Sequence, residues 1–116
     1  MAAPNIVAVT TITGRVVTVT LGATATDIVA NGAGSGKVYR MGGLIVANPT
    51  NDPVSLSLSL VNASPAATAS LVSKLVLPGN ASLRVPVDKI NLEEGDKITG
   101  LGGGVLQATA TFEEII

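Results

Sequence analysis

Few side chains in this sequence are able to do covalent or acid–base chemistry, and their usual helpers are absent. A serine or threonine nucleophile needs a base beside it, and the 116 residues include no histidine. Cysteine is absent too, which removes a thiolate nucleophile, a disulfide framework and a soft metal site. A serine–lysine pair is formally open with 7 Lys+Arg, yet nothing in the sequence places one in a cleft. No catalytic residue, cofactor or metal is therefore expected, and an enzyme is the last of the functional readings.

Three local patterns invite a chemical reading and lose it on inspection. Asn31-Gly32-Ala33-Gly34-Ser35-Gly36-Lys37 has the look of a phosphate-binding loop. That loop needs glycine where Asn31 stands, a serine or threonine where Val38 stands, and a helix where the pattern continues as strand. A flexible hairpin loop is expected instead. The acidic stretch Asp88 to Lys97 lacks the alternating oxygen ligands of a calcium loop and reads as a solvated turn, with Gly95 supplying backbone freedom. Asn62-Ala63-Ser64 and Asn80-Ala81-Ser82 match the N-glycosylation acceptor pattern but also match ordinary turn chemistry, and both are read as turns.

Two wider classes are disfavoured by composition. Basic residues neither cluster nor outnumber acidic ones (7 against 8), and Tyr39 and Phe112 are the only aromatics, so neither a nucleic-acid groove nor a sugar-stacking platform is expected. No run approaches the roughly 18 apolar residues of a membrane span. The first residues lack the charged and apolar regions of a secretory signal, so synthesis in a cytoplasm without a membrane partner is expected.

The elements that must position any site are strands. Residues 55–60 alternate Ser and Leu, setting Leu56, Leu58 and Leu60 on one face and Ser55, Ser57 and Ser59 on the other. Val17, Val19 and Leu21 oppose Val16, Thr18 and Thr20; Ala108, Ala110 and Phe112 oppose Gln107, Thr109 and Thr111. Apolar runs at 5–12, 37–47, 70–77 and 82–87 have strand length. They are punctuated at Thr13-Gly14, 31–36, 48–53, 62–65, 78–80, 94–96 and 102–104. Residues 66–74 read as loop passing into strand rather than helix. The expectation is one all-β domain over 1–116, an antiparallel β-sandwich of seven to nine strands, with Ig-like and jelly-roll windings both open.

Charge is scarce: 13% of residues, a net charge of -1, and a hydrophobic share of 47%. So little charge leaves the surface poorly guarded against association, and the strands present Ser, Thr and Ala where Lys and Glu would block edge pairing. Part of the surface is expected to be covered by other protein.

The opening Met-Ala-Ala-Pro-Asn-Ile-Val-Ala-Val-Thr, the glycine loop into Lys37-Val38-Tyr39-Arg40, and Leu44 to Asn48 followed by the 54–61 strand carry a resemblance, with Leu92 to Ile98 and Ala108 to Ile115 completing it. On these stretches the chain resembles small β-sandwich virion structural proteins of tailed bacteriophages, especially marine and cyanobacterial phages. The resemblance implies a capsid decoration or cement protein on the virion surface, bound to a major capsid protein or another virion structural protein, and homo-oligomeric, with a trimer favoured. Alternatives are a neck, tail or fibre-attachment component, or an Ig-like host-binding module. The expected protein interface combines Ala2, Ala3, Pro4, Asn5 and Ile6, in an N-terminal arm (1–7) that Pro4 keeps extended, with Lys37 and Tyr39 after the glycine loop.

Overall fold

Alternation of apolar and hydroxyl side chains gives strand after strand along the chain. The computed structural model describes residues 11–63, 66–88 and 90–116. In chain order the strands are β1 (Ile12–Thr20), β2 (Thr26–Ala30), β3 (Val38–Ala47), β4 (Val54–Ala63), β5 (Ala66–Leu77), β6 (Ser82–Val85), β7 (Asn91–Leu92), β8 (Lys97–Leu101) and β9 (Gln107–Ile115). The fold is all-β. A five-stranded sheet has the order β1-β9-β3-β6, with β7 also on β3, and a four-stranded sheet has the order β2-β8-β4-β5.

Every ladder is antiparallel, and the pairs nest: β1 with β9, β2 with β8, β3 with β6 and β7, β4 with β5. A long hairpin wound on itself pairs its first strand with its last in this way, which is the jelly-roll winding rather than the Ig-like one.

The core between the sheets is aliphatic. Leu21, Leu44, Leu56, Leu58, Leu92, Ile98 and Leu106 are fully enclosed, each such side chain contributing about 1.5–3 kcal/mol. The faces read from alternation are the ones observed: Ala108, Ala110 and Phe112 are buried, and Val16, Thr18 and Thr20 are exposed. Leu56 and Leu58 are buried while Leu60 is half-buried, so the inward row thins toward the β4–β5 tip. The two aromatics meet, with the Tyr39 and Phe112 ring centroids 4.7 Å apart. Gly100 is required by packing: a Cβ there would stand 2.8 Å from Leu58 Cδ2 and 3.1 Å from Leu21 Cδ2.

Four local expectations are corrected. Thr13-Gly14 does not turn; both residues lie inside β1, opposite Glu114 and Glu113, because a glycine on a paired strand keeps its ladder bonds. Residues 66–74 are strand throughout, held by pairing to β4 that the weakly alternating sequence does not advertise. Asn62 lies in β4, opposite Ala67, whereas Asn80 does sit in a turn with φ of 58°. The glycine loop 31–37 is no hairpin, since β2 and β3 belong to different sheets and the loop crosses between them.

Candidate self-association surface

Two aspects of a sandwich are open to other protein: its sheet edges, where backbone N–H and C=O groups lack a neighbour, and its outer faces. The edges of the five-stranded sheet are β1 and β6, and those of the four-stranded sheet are β2 and β5. The short segment 78–81 joins β5 to β6, and 21–25 joins β1 to β2, so the edges group as β5/β6 on one flank and β1/β2 on the other. Three antiparallel steps separate the two edges of each sheet, so β5 runs opposite to β2, and β6 opposite to β1.

The edges are guarded unequally. β6 has 4 residues and β2 has 5, so both are much shorter than the other edge of their own sheet. β1 is longer, with 9 residues in unbroken register against β9 and with Val17 and Val19 packed on the core. β5 is the longest, with 12 residues, and its one charged side chain is Lys74. Because the matching edge β6 is so short, much of the inner side of β5 has no strand to pack on. Ala67, Ala69 and Leu75 stay exposed there.

The outer faces are nearly neutral. On the five-stranded sheet the ranks read Val16–Thr111, then Thr18–Thr109–Ile45–Arg84, then Thr20–Gln107–Ala47–Ser82. On the four-stranded sheet Ser55 faces Val76, Ser57 faces Leu101, and Ser59 lies between Ser70 and Thr99. Val16 at 68% exposure and Val76 at 59% stand out as apolar groups in water, one on each flank.

Four of the six cations among the described residues pair with acidic side chains. Glu114, nearly buried, receives Arg15 Nε and Lys37 Nζ, each at 3.4 Å; Arg40 Nη2 meets Glu113 Oε1 at 2.8 Å; Lys97 Nζ meets Asp27 Oδ1 at 3.4 Å. Among the described residues, Lys74 and Arg84 are the cations without an acidic partner.

The interface residues expected from sequence separate into two groups. Ala2, Ala3, Pro4, Asn5 and Ile6 lie outside the described residues. Lys37 and Tyr39 stand together at one end of the sandwich, Lys37 held by Glu114 and Tyr39 half-buried against Phe112.

The loops at the two ends of the sandwich are each braced by a buried asparagine. Asn31 donates its side-chain amide to the carbonyls of Lys37 and Leu92 and accepts from Ser35 Oγ. Asn48 does the same for the opposite end, donating to the carbonyls of Asp52, Leu77 and Pro78 and accepting from Thr50. Within the acidic stretch Asp96 is buried rather than solvated, because its carboxylate accepts the backbone N–H groups of Ala63 and Glu93.

A cleft of about 530 Å³ opens at the bulge of β3, lined by Gly42, Gly43, Arg84, Val85, Pro86, Val87 and Asp88. It forms because β3 carries an extra residue at Gly42 against β9, and because β6 ends before β7 rejoins β3. No nucleophile with a base lines it, and no group of three or more acidic residues fit to hold a metal occurs among the described residues.

No protein-family model matches the chain, and no curated protein matches it in sequence. Among solved structures its fold is similar to that of Bacillus endospore appendages, described as a novel family of disulfide-linked pili. That match has a TM-score of 0.51 at 19% identity and covers 99% of this chain and 93% of the other. The likeness is one of fold.

This finding corrects the resemblance to tailed-phage virion proteins. The full-length fold match is to a pilus protein, so the capsid decoration or cement role, the major capsid partner and the place on a virion surface are all overturned. The physical reason is plain: the stretches carrying that resemblance are strand-and-turn patterns, which any jelly roll needs and which hold no information about the particle it serves. Of the alternatives weighed, the neck, tail or fibre-attachment component stands nearer to that match than the capsid role does.

Proposed function

We propose that this chain is a non-enzymatic structural subunit that associates with copies of itself, end flank to end flank, into a fibre. The observation that carries the reading is the opposite direction of the two flanks. Because β5 and β2 run antiparallel within one copy, a second copy in the same orientation presents its β2 antiparallel to the first copy's β5. The same holds for β6 and β1. Such a contact uses different patches on the two copies, and repeated between copies in the same orientation, with no closing rotation, it builds an open filament.

The contact would be a strand ladder with neutral side chains around it. Each backbone bond contributes about 0.5–1.5 kcal/mol net, so one junction is weak and repetition along the fibre supplies the stability. The scarcity of charge and the apolar Val16 and Val76 favour the same association. Fold similarity to a pilus protein supports it as well. The pili of that match are described as disulfide-linked, whereas this chain has no cysteine, so its junctions would be held without disulfides.

The segment Ala2, Ala3, Pro4, Asn5 and Ile6, with Lys37 and Tyr39, is retained as a second contact in this reading. Its support is that Ile116 donates its backbone N–H to the Thr11 carbonyl at 3.1 Å, so Thr11, the first described residue, lies beside the end of β9.

Electron microscopy of the concentrated protein tests the reading. Fibres of uniform width that persist in reductant are expected, with fewer or shorter ones after deletion of residues 1–6. Particles of monomer size at every concentration would reject it.

A further inference from the structure

We infer that Lys74, with the bulge around it, is a stop on the β5 edge that confines an incoming β2 of a second copy to Ala66–Ser70. The inference rests on the self-association proposed above and names where on β5 it occurs.

The register of β5 on β4 breaks twice in its middle. Leu75 faces Leu56, Val72 faces Leu58, and Ser70 faces Ser59. Ser57 alone therefore opposes both Ser73 and Lys74, and Leu71 is left outside the ladder altogether. Two bulges within so short a stretch interrupt the row of backbone groups that an added strand would need. The edge divides into Ala66–Ser70, regularly paired with β4, and a separate end at Leu75–Leu77.

Lys74 sits at the break in a left-handed conformation, with φ of 50°. Glycine or asparagine adopts that conformation at least cost. Its backbone N–H is satisfied by Ser57 Oγ at 3.0 Å, so the geometry is supported from β4 and asks nothing of the lysine side chain. Backbone requirements thus do not account for a lysine here. A charge at the margin of the sheet does: an added strand crossing position 74 would have to strip water from an ammonium group that has no acidic partner among the described residues.

What lies beyond the stop explains its use. Leu75 and Val76 are 43% and 59% exposed, the most adhesive part of the strand, and unguarded they would compete for incoming strands in a wrong register. Before the stop, Ala66–Ser70 carries no charge and equals in number the 5 residues of β2, whose own bulge between Asp27 and Val29 limits a regular ladder to part of that length. The single charge on β5 is cationic and the single charge on β2, Asp27, is anionic, so the junction brings no like charges together.

Hydrogen exchange of the assembled and dissociated protein tests this in the wild type, Lys74→Gly and Lys74→Arg. In wild-type assemblies, amides of 66–70 should exchange at least about tenfold more slowly than in the monomer, with 75–77 unchanged. In Lys74→Gly, which keeps the backbone conformation without the charge, protection should spread to 75–77 and fibres should lose uniform width; Lys74→Arg should behave as wild type. Assemblies that protect 75–77 in the wild type, or a Lys74→Gly variant identical to it, overturn the stop and leave self-association standing. A monomeric wild type with an associating Lys74→Gly overturns the fibre and the pairing at Ala66–Ser70, since Lys74 would then block association altogether. Monomers in every case overturn both.

Discussion

The two long edge strands, β1 and β5, belong to the same sandwich and behave as different kinds of surface. β1 is sewn in: its register on β9 is unbroken, Val17 and Val19 reach the core, and Arg15 is tied to Glu114. β5 is longer and twice bulged; Leu71, Val72 and Leu77 reach the core, but its exposed first part, Ala66–Ser70, is held chiefly by its ladder to β4. The difference arises from what lies opposite. A strand is packed when the facing sheet extends over it, and the facing edge β6 stops after 4 residues. An edge left uncovered on its inner side and unpaired along its margin is the part of a sandwich best suited to taking up another chain.

That contrast is breakable by mutation. The largest effect is expected where β4 passes from body to tip: Leu58→Ala should cost about 2–5 kcal/mol in urea unfolding, and Leu60→Ala clearly less. Equal costs would mean that the tip is as much core as the body. Next, Gly100→Ala should cost about 1–3 kcal/mol, since the added methyl overpacks Leu58, Leu21 and Ile28. Between the edges themselves, Val19→Ala on β1 should cost about 1 kcal/mol and Val76→Ala on β5 under about 0.5 kcal/mol, by the scale of roughly 0.8 kcal/mol per buried methylene. The reverse order in thermal melts would cancel the distinction. The smallest effect concerns solvent: with Asp27, already paired to Lys97, the one charge within β2 and none within Ala66–Ser70, raising salt from about 0.05 to about 0.5 M should leave self-association nearly unchanged, whereas a charge-driven contact would weaken.

How much of this the sequence discloses differs by element. The Ser–Leu alternation of β4 and the Thr–Ala alternation of β9 announce both strand and inward face, because each strand buries one side only. β2 is silent, since a bulge between Asp27 and Val29 puts Ile28 and Val29 both into the core and spoils the period of two. β8 is masked for a related reason: Ile98, Thr99 and Gly100 are all buried, and the glycine resembles a turn until its close packing is seen. The candidate surface is less legible still. Poor charge cover hints that the molecule associates, but which strand is an edge depends on topology, and topology follows from pairing between residues far apart in the chain. Lys74 looks like any exposed lysine until the register shows it standing on a bulge.

Sedimentation velocity over a wide concentration range, comparing the wild type with a Thr68→Lys, Ser70→Lys double variant, tests the account at its centre. Both positions are exposed on the proposed edge, so the double variant should unfold within about 1 kcal/mol of wild type. The wild type should shift to large species as concentration rises, and the variant should remain monomeric. A variant that associates as readily as the wild type would contradict the claim that β5 is where copies join.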